Sequence, residues 1–296
     1  MKPAPFEYYP PRTLEEALSL LAQHGDEAKA LAGGQSLIPA MNFRLAQPAV
    51  LIDLNGLHEL SYIQSEDGGG LRIGAMTRQR AVERSPLVRR EAPLVHEAMP
   101  FIAHPPIRNR GTVGGSLAHA DPAAELPAVS LALDARFRAQ SAKRARWIAA
   151  GEFFTGLFST ALGADELLVE IVLPRLAARS GCAFEEVSRR HGDYALVGVA
   201  AAVALDERER CAQARIALMS IGDRPVLAEP AAQLLKGEIP SAESIRAAAN
   251  AAAHGDIDPP ADIHASSAYR RQLVSVLIRR ALERAFARAR EASRPA

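Results

Sequence analysis

The segment Leu31-Ala32-Gly33-Gly34-Gln35-Ser36-Leu37 and its echo Arg110-Gly111-Thr112-Val113-Gly114-Gly115-Ser116-Leu117 constrain this chain more than any other feature. Each carries an adjacent glycine pair followed closely by a serine and an aliphatic residue. Paired glycines let a backbone adopt positive φ and approach a ligand with no Cβ in the way, so successive amide N–H groups can converge on an anion. That is the chemistry of a phosphate or pyrophosphate cradle. One Gly-Gly is ordinary turn punctuation, but two with the same ending, both after apolar residues, read as a two-sided clamp. Neither has the Gly-x-Gly-x-x-Gly spacing of a dinucleotide-binding βαβ unit, which argues against a Rossmann site.

A chain of 296 residues exceeds one average domain and suggests two. Basic residues number 35 and acidic ones 34, so the formal charge is +1 and gives no reason to expect nucleic acid or a membrane surface as partner. The N-terminus, Met-Lys-Pro-Ala-Pro-Phe-Glu-Tyr-Tyr-Pro-Pro, has no apolar core of a signal peptide, and no window approaches the ~18 apolar residues of a membrane span. A cytoplasmic protein is the expectation. Cys182 and Cys211 are the only cysteines, too few for an iron–sulfur cluster and not spaced as a zinc site. Any iron–sulfur centre must therefore lie on another chain.

Apolar residues at Leu14, Ala17, Leu18 and Leu21 predict a core-facing helix capped by Thr13, with Glu16 placed as in a capping box. Lys29 to Leu31 reads as a strand entering the first glycine loop, and Ser36 to Leu45 as a short helix after it. Ala49 to Leu54 and Leu71 to Gly74 read as strands, the second preceded by the turn Asp67-Gly68-Gly69-Gly70. Thr77 is placed to cap a helix, and Glu91 to Phe101 reads as another, stopped by the breaker His104-Pro105-Pro106. An apolar helix over Leu126 to Leu133 and strands over Arg136 to Gln140 and Leu167 to Leu173 close this half at Pro174. Beyond it, Ala195 to Leu205 and Ala214 to Ile221 are strand-like, while Ser241 to Ala253 and Ser267 to Ala289 are helical. On the last helix, Arg270, Arg271, Arg279, Arg280, Arg284 and Arg288 oppose a broad apolar face and read as a solvated surface.

The stretch Arg108 to Pro122 is too polar and glycine-rich to be a core segment. Arg108 and Arg110 read equally as phosphate partners and as solvated neighbours of the loop. Asp121 fits a ligand contact or a helix N-cap. His119, a lone histidine in a polar loop, reads as a hydrogen-bonding residue with no part in catalysis.

Taken together, four stretches resemble the FAD-binding medium subunit of the molybdenum hydroxylases, the group with carbon monoxide dehydrogenase, xanthine dehydrogenase and aldehyde oxidoreductases. They are Ala32 to Pro39 continuing to Leu51-Ile52-Asp53-Leu54-Asn55; Ile73-Gly74-Ala75-Met76-Thr77; Arg108 to Pro127; and Gly192-Asp193-Tyr194-Ala195. The resemblance implies an α+β chain: a vanillyl-alcohol-oxidase-type (PCMH) FAD-binding domain over 1–175, built of two α+β subdomains divided near residue 56, then a smaller α+β domain of the carbon monoxide dehydrogenase flavoprotein type over 178–290. It implies that Ala32, Gly33, Gly34, Gln35, Ser36 and Leu37 form one pyrophosphate loop and Thr112, Val113, Gly114, Gly115 and Ser116 the other, with the glycine amides as donors. Ile102, His119, Asp121, Glu125 and Leu168 fall among cofactor-contacting positions, and Tyr194 at an aromatic position that stacks on the isoalloxazine. Where some xanthine dehydrogenase members place a Lys, this chain has Glu185 after Phe184, which counts against NAD use of that kind. The four-cysteine insert of the [4Fe–4S] branch is absent.

The resemblance further implies an electron-transfer role: non-covalent FAD on this chain, molybdopterin on a large partner subunit, [2Fe–2S] clusters on a small one, and a dimer of heterotrimers. Two other readings stay open. A self-sufficient flavin oxidase of the same fold would have its isolated FAD reduced by an organic substrate. A flavin-free scaffold subunit would carry no FAD, although two intact glycine loops argue against it.

Overall fold

The computed structural model describes residues 1–255 and 257–292. The chain opens with β1 (Glu7–Tyr9), α1 (Leu14–His24), β2 (Ala28–Leu31), α2 (Leu37–Asn42) and β3 (Val50–Asp53). β1 and β2 flank β3, both parallel to it. The Thr13 hydroxyl accepts the Glu16 N–H at 3.2 Å, as its cap spacing predicts. Ala17, Leu18 and Leu21 then bury in one cluster with Val50 and Ile52, so α1 closes one face of this small sheet.

Next come β4 (Ile63–Ser65), β5 (Gly70–Gly74), α3 (Gln79–Arg84), α4 (Pro86–Glu91), α5 (Pro93–Ala98), α6 (Pro105–Arg110), α7 (Val113–His119) and α8 (Glu125–Ala132). They are followed by β6 (Arg136–Gln140), β7 (Ala145–Ala149), α9 (Ala150–Phe153), the hairpin of β8 (Phe154–Gly156) and β9 (Ser159–Thr160), and β10 (Leu167–Pro174). The antiparallel order β4-β5-β10-β6-β7 makes a second sheet, and every residue of α8 is buried, its apolar side chains in one core cluster with Leu71, Ile73 and Phe137 of that sheet.

Three expectations fail here. Thr77 caps no helix: its hydroxyl donates to the Tyr62 carbonyl at 2.9 Å and accepts the Tyr62 N–H at 3.1 Å. The helix expected over residues 91–101 is broken by Pro93, which starts α5 after α4 has ended. Pro105, read as a breaker, begins α6 instead. Proline lacks the N–H that a first helical turn leaves unused, so it starts a helix as readily as it stops one.

The C-terminal part comprises β11 (Ser180–Ser188), β12 (Ala195–Leu205), β13 (Cys211–Met219), β14 (Val226–Leu227), α10 (Glu229–Leu235), α11 (Ala242–His254) and α12 (Ser267–Glu291). Its four strands form one sheet in sequence order. β12 is buried throughout because both sheet faces are covered. Val197, Val199, Ala201 and Val203 join the cluster with α11 and α12, while Ala200 and Ala202 join that of the flanking α5 and α8.

The arginines of α12 are only partly a solvated face. Arg279 and Arg280 are exposed, but Arg270 is buried and donates to Asp262 at 2.7 Å. Arg284 and Arg288 both reach Glu97 of α5 at 2.5 Å; Arg284 also pairs with Glu185, and Arg288 with the Cys182 carbonyl. The face that reads as solvent-bound thus clasps the C-terminal sheet to the preceding half.

Candidate functional site

The first glycine loop joins β2 to α2. Gly34 sits at φ +72°, a left-handed conformation open to glycine. Among the described residues, the amides of Gly33, Gly34, Gln35 and Ser36 find no acceptor. The Gln35 side chain donates to the Gly33 carbonyl at 3.0 Å and stiffens the loop. Ser36 precedes α2 without making a side-chain cap, and Leu37 is its first residue.

Ala32, Gly33, Gly34 and Gln35 line a cavity of about 330 Å³ together with Asp53, Asn55 and Arg110. The rim is braced. Asn55 donates to the Ala32 carbonyl at 2.9 Å and accepts from Arg78 at 2.6 Å, and Arg78 also bonds the Arg110 carbonyl. Burial would raise the Asp53 carboxyl, but hydrogen bonds from Tyr8 and Asn55 and the nearby Arg110 charge outweigh it and hold the group below its ordinary value. The cavity therefore offers unengaged amides, a guanidinium and a carboxylate.

The second glycine pair is not a loop but the first turn of α7. Thr112 caps the helix, accepting the Gly115 N–H at 3.0 Å, and the Gly114 N–H donates to the Ala75 carbonyl at 2.8 Å. Both amides expected to face a ligand are thus engaged within the fold. A Cβ on Gly114 would meet Ala75 Cβ at 2.5 Å and its backbone at 2.8 Å, so glycine here serves close packing. The two stretches do meet, backbone against backbone: a Cβ on Gly33 would lie 2.5 Å from the Arg110 carbonyl, and one on Gly115 would lie 3.2 Å from Ala32 Cβ.

Arg108, read as a possible phosphate partner, is buried instead. It donates to Glu83 at 2.9 and 3.1 Å and to the Ile102 carbonyl at 2.7 Å. Ile102, Val113 and Leu168 are core residues, while Ser116 lies half-buried within α7. The ring of His119 packs on Phe158 with centroids 5.0 Å apart, and burial lowers its pKa. Asp121 accepts the Ala123 N–H at 2.9 Å and so shapes the turn before α8 without capping it. Tyr194 is 70% exposed, at the end of a turn whose Gly192 (φ +85°) abuts His104. Glu125 is the first residue of α8 and is buried.

Sequence reasoning missed Arg78, whose role depends on a hydrogen bond to Asn55, and Glu186, which faces the side of Glu125. Strand alternation held the signal for Glu186, two residues after the core residue Phe184.

With this geometry in view, the comparisons are specific. Residues 4–176 match the family of the FAD binding domain in molybdopterin dehydrogenase, and residues 182–285 match the CO dehydrogenase flavoprotein C-terminal domain. The chain is 45% identical to the 6-hydroxypseudooxynicotine dehydrogenase complex subunit alpha of Paenarthrobacter nicotinovorans, covering 98% of this chain and 97% of that protein. It is 41% identical to the caffeine dehydrogenase subunit beta of Pseudomonas sp. (strain CBB1), covering 96% of each. A solved chain of carbon monoxide dehydrogenase from Hydrogenophaga pseudoflava matches with a TM-score of 0.94 at 40% identity, covering 97% of this chain and 99% of that one. Relatives of this kind are subunits of multi-subunit molybdenum hydroxylases, and none of the helices among the described residues is long and apolar enough to cross a membrane. The chain belongs to the FAD-binding medium subunits of the molybdenum hydroxylase family of oxidoreductases, with a PCMH-type FAD-binding domain followed by a carbon monoxide dehydrogenase flavoprotein C-terminal domain.

Proposed function

We propose that this chain is the FAD-carrying electron-transfer subunit of a cytoplasmic molybdenum-dependent dehydrogenase. Electrons arrive from a molybdopterin centre on a large partner subunit by way of [2Fe–2S] clusters on a small one, and leave to an external acceptor. A dimer of heterotrimers is the working assembly. The observation that carries this reading is the run of unengaged amides at residues 33–36, of which Gly33, Gly34 and Gln35 line one cavity with Arg110.

Bound FAD would supply the redox chemistry. Holding it falls to this chain. The amides of residues 33–36 and the Arg110 guanidinium suit the pyrophosphate, because both are donors with no acceptor function. Asp53, held ionised, would repel phosphate and suits the hydroxyls of a ribose. The wall formed by Thr112, Val113, Gly114, Gly115 and Ser116 fixes the position of that loop, with Ala32 and Leu37 at its two ends. Ile102 and Leu168 supply apolar backing, while His119, Asp121 and Glu125 would border the flavin ring and Tyr194 would cover one of its faces. No general acid–base pair is needed for this role.

The visible spectrum of the chain purified with its partners tests the reading. Flavin absorbance at one FAD per chain, released by acid precipitation, is expected. An intact complex without flavin overturns it.

A further inference from the structure

Where α8 meets the C-terminal sheet, the fold gathers acids that the pyrophosphate cradle does not use. Glu125 is only 8% exposed, and among the described residues its carboxyl has no hydrogen-bond partner on another residue. α8 packs on β12 and β13, and β11 is the next strand of that sheet. Alternation along that strand turns Cys182 and Phe184 toward the core shared with α5 and α8, and turns Glu185 the other way, onto Arg284 of α12. Glu186 therefore shares the face of Phe184, and its Oε2 is shut off from solvent with no partner. Glu186 feels the charge of Glu125, Glu125 that of Asp121, and Tyr194 that of both Asp121 and Glu125. The four groups are thus neighbours at one place.

Among the described residues, neither Glu125 nor Glu186 forms an ion pair. Arg108, the cation that acts on Glu125, is bound to Glu83. Glu97, Arg284 and Arg288, which face β11 from α5 and α12, are engaged with one another and, through Arg284, with Glu185. Among the described residues, no group of three His, Cys, Asp or Glu side chains is arranged to hold a metal ion. Two buried carboxyls without a counter-charge do not both stay ionised. Burial first, and Glu125 second, push Glu186 up to about 9; burial first, with Asp121 adding to it, pushes Glu125 up to about 7.

We propose that Glu186 on β11, backed by Glu125 where α8 covers the same sheet, is kept as a neutral carboxylic acid that donates a hydrogen bond to the ring system of the bound flavin. The proposal rests on the FAD reading above, with Tyr194 marking the ring's side of the junction. Flavin rings present carbonyl oxygens and ring nitrogens that accept hydrogen bonds. A protonated acid donates to them, whereas a carboxylate can only accept. Glu186 is then a binding residue for the ring, and its proton ties flavin affinity to pH.

FAD binding to the full chain, followed by quenching of flavin fluorescence between pH 6 and 9.5, tests this in wild type, Glu186→Gln and Glu186→Ala. Wild-type affinity should fall about fourfold between pH 6 and 9.5, since a required proton with a pKa of about 9 is mostly lost half a pH unit above it. Glu186→Gln keeps an amide N–H donor at every pH and should hold its affinity across the range. Glu186→Ala should bind about tenfold more weakly at pH 6 and show no slope, a lost hydrogen bond being worth about 1 kcal/mol or more.

The apo chain gives an independent readout. The folded pKa of Glu186 lies above its ordinary value, so the stability tied to its proton is complete below that ordinary value and lost as pH rises toward about 9. Glu186→Gln should therefore melt a few degrees above wild type near pH 9 and together with it at pH 5. Equal melting at both values overturns the neutral acid. A pH profile shared by wild type and Glu186→Gln overturns the donor role and leaves the FAD reading standing, while a wild-type chain that binds no FAD at any pH overturns both.

Discussion

The glycine pair at residues 33–34 faces a cavity with its amides unengaged, whereas the pair at residues 114–115 sits in the first turn of α7 with both amides already bonded. The same residue type does opposite work in the two places. In the first, Gly34 takes a positive φ and the loop amides stay unengaged beside a cavity. In the second, it removes a side chain so that α7 can press against Ala75, and that closeness holds the neighbouring Arg110 and Gly111 against Gly33. The open loop is shaped by the closed one.

Gly114→Ala should break the closed pair and have the largest effect. Its Cβ would lie 2.5 to 2.8 Å from Ala75, and overpacking against backbone costs about 3 kcal/mol. Denaturant unfolding of the apo chain measures it; a loss below about 1 kcal/mol would remove the packing role. Arg110→Ala strikes the open side. FAD affinity should drop about 30-fold, or about 2 kcal/mol, with the melting temperature unchanged; unaltered affinity by calorimetry would take Arg110 out of the cradle. A smaller contrast separates the two residues that precede the helices. Thr112→Ala removes a side-chain cap and should cost about 1 kcal/mol, while Ser36→Ala removes none and should stay within about 0.5 kcal/mol. Equal losses would erase the distinction.

Much of the fold was legible because its signals are local. Thr13 and Glu16 announce α1, and the unbroken apolar run of β12 announces a strand covered on both faces. What the sequence hid depends on partners far along the chain. Arg108 looks like a phosphate ligand until Glu83 is seen beside it, and Arg284 and Arg288 look solvated until Glu97 comes within reach. Glu185 drew notice as the residue after Phe184, yet only strand register shows that it points to α12 and that Glu186 points to the flavin half. The glycine motifs marked where two stretches of backbone meet but not which amides stay free, because that follows from whether a helix starts on the spot.

The clasp on Glu97 has a consequence for how the chain comes into being. Its partners Arg284 and Arg288 lie 187 and 191 positions further on. During synthesis α5 is complete long before α12 leaves the ribosome, so the flavin-binding half waits with an unpaired carboxylate and with no β11 to cover Phe101. Contacts of such long range form late and slowly. α12 is therefore made long after the half that it locks, and a chain cut short within α12 would lose that lock.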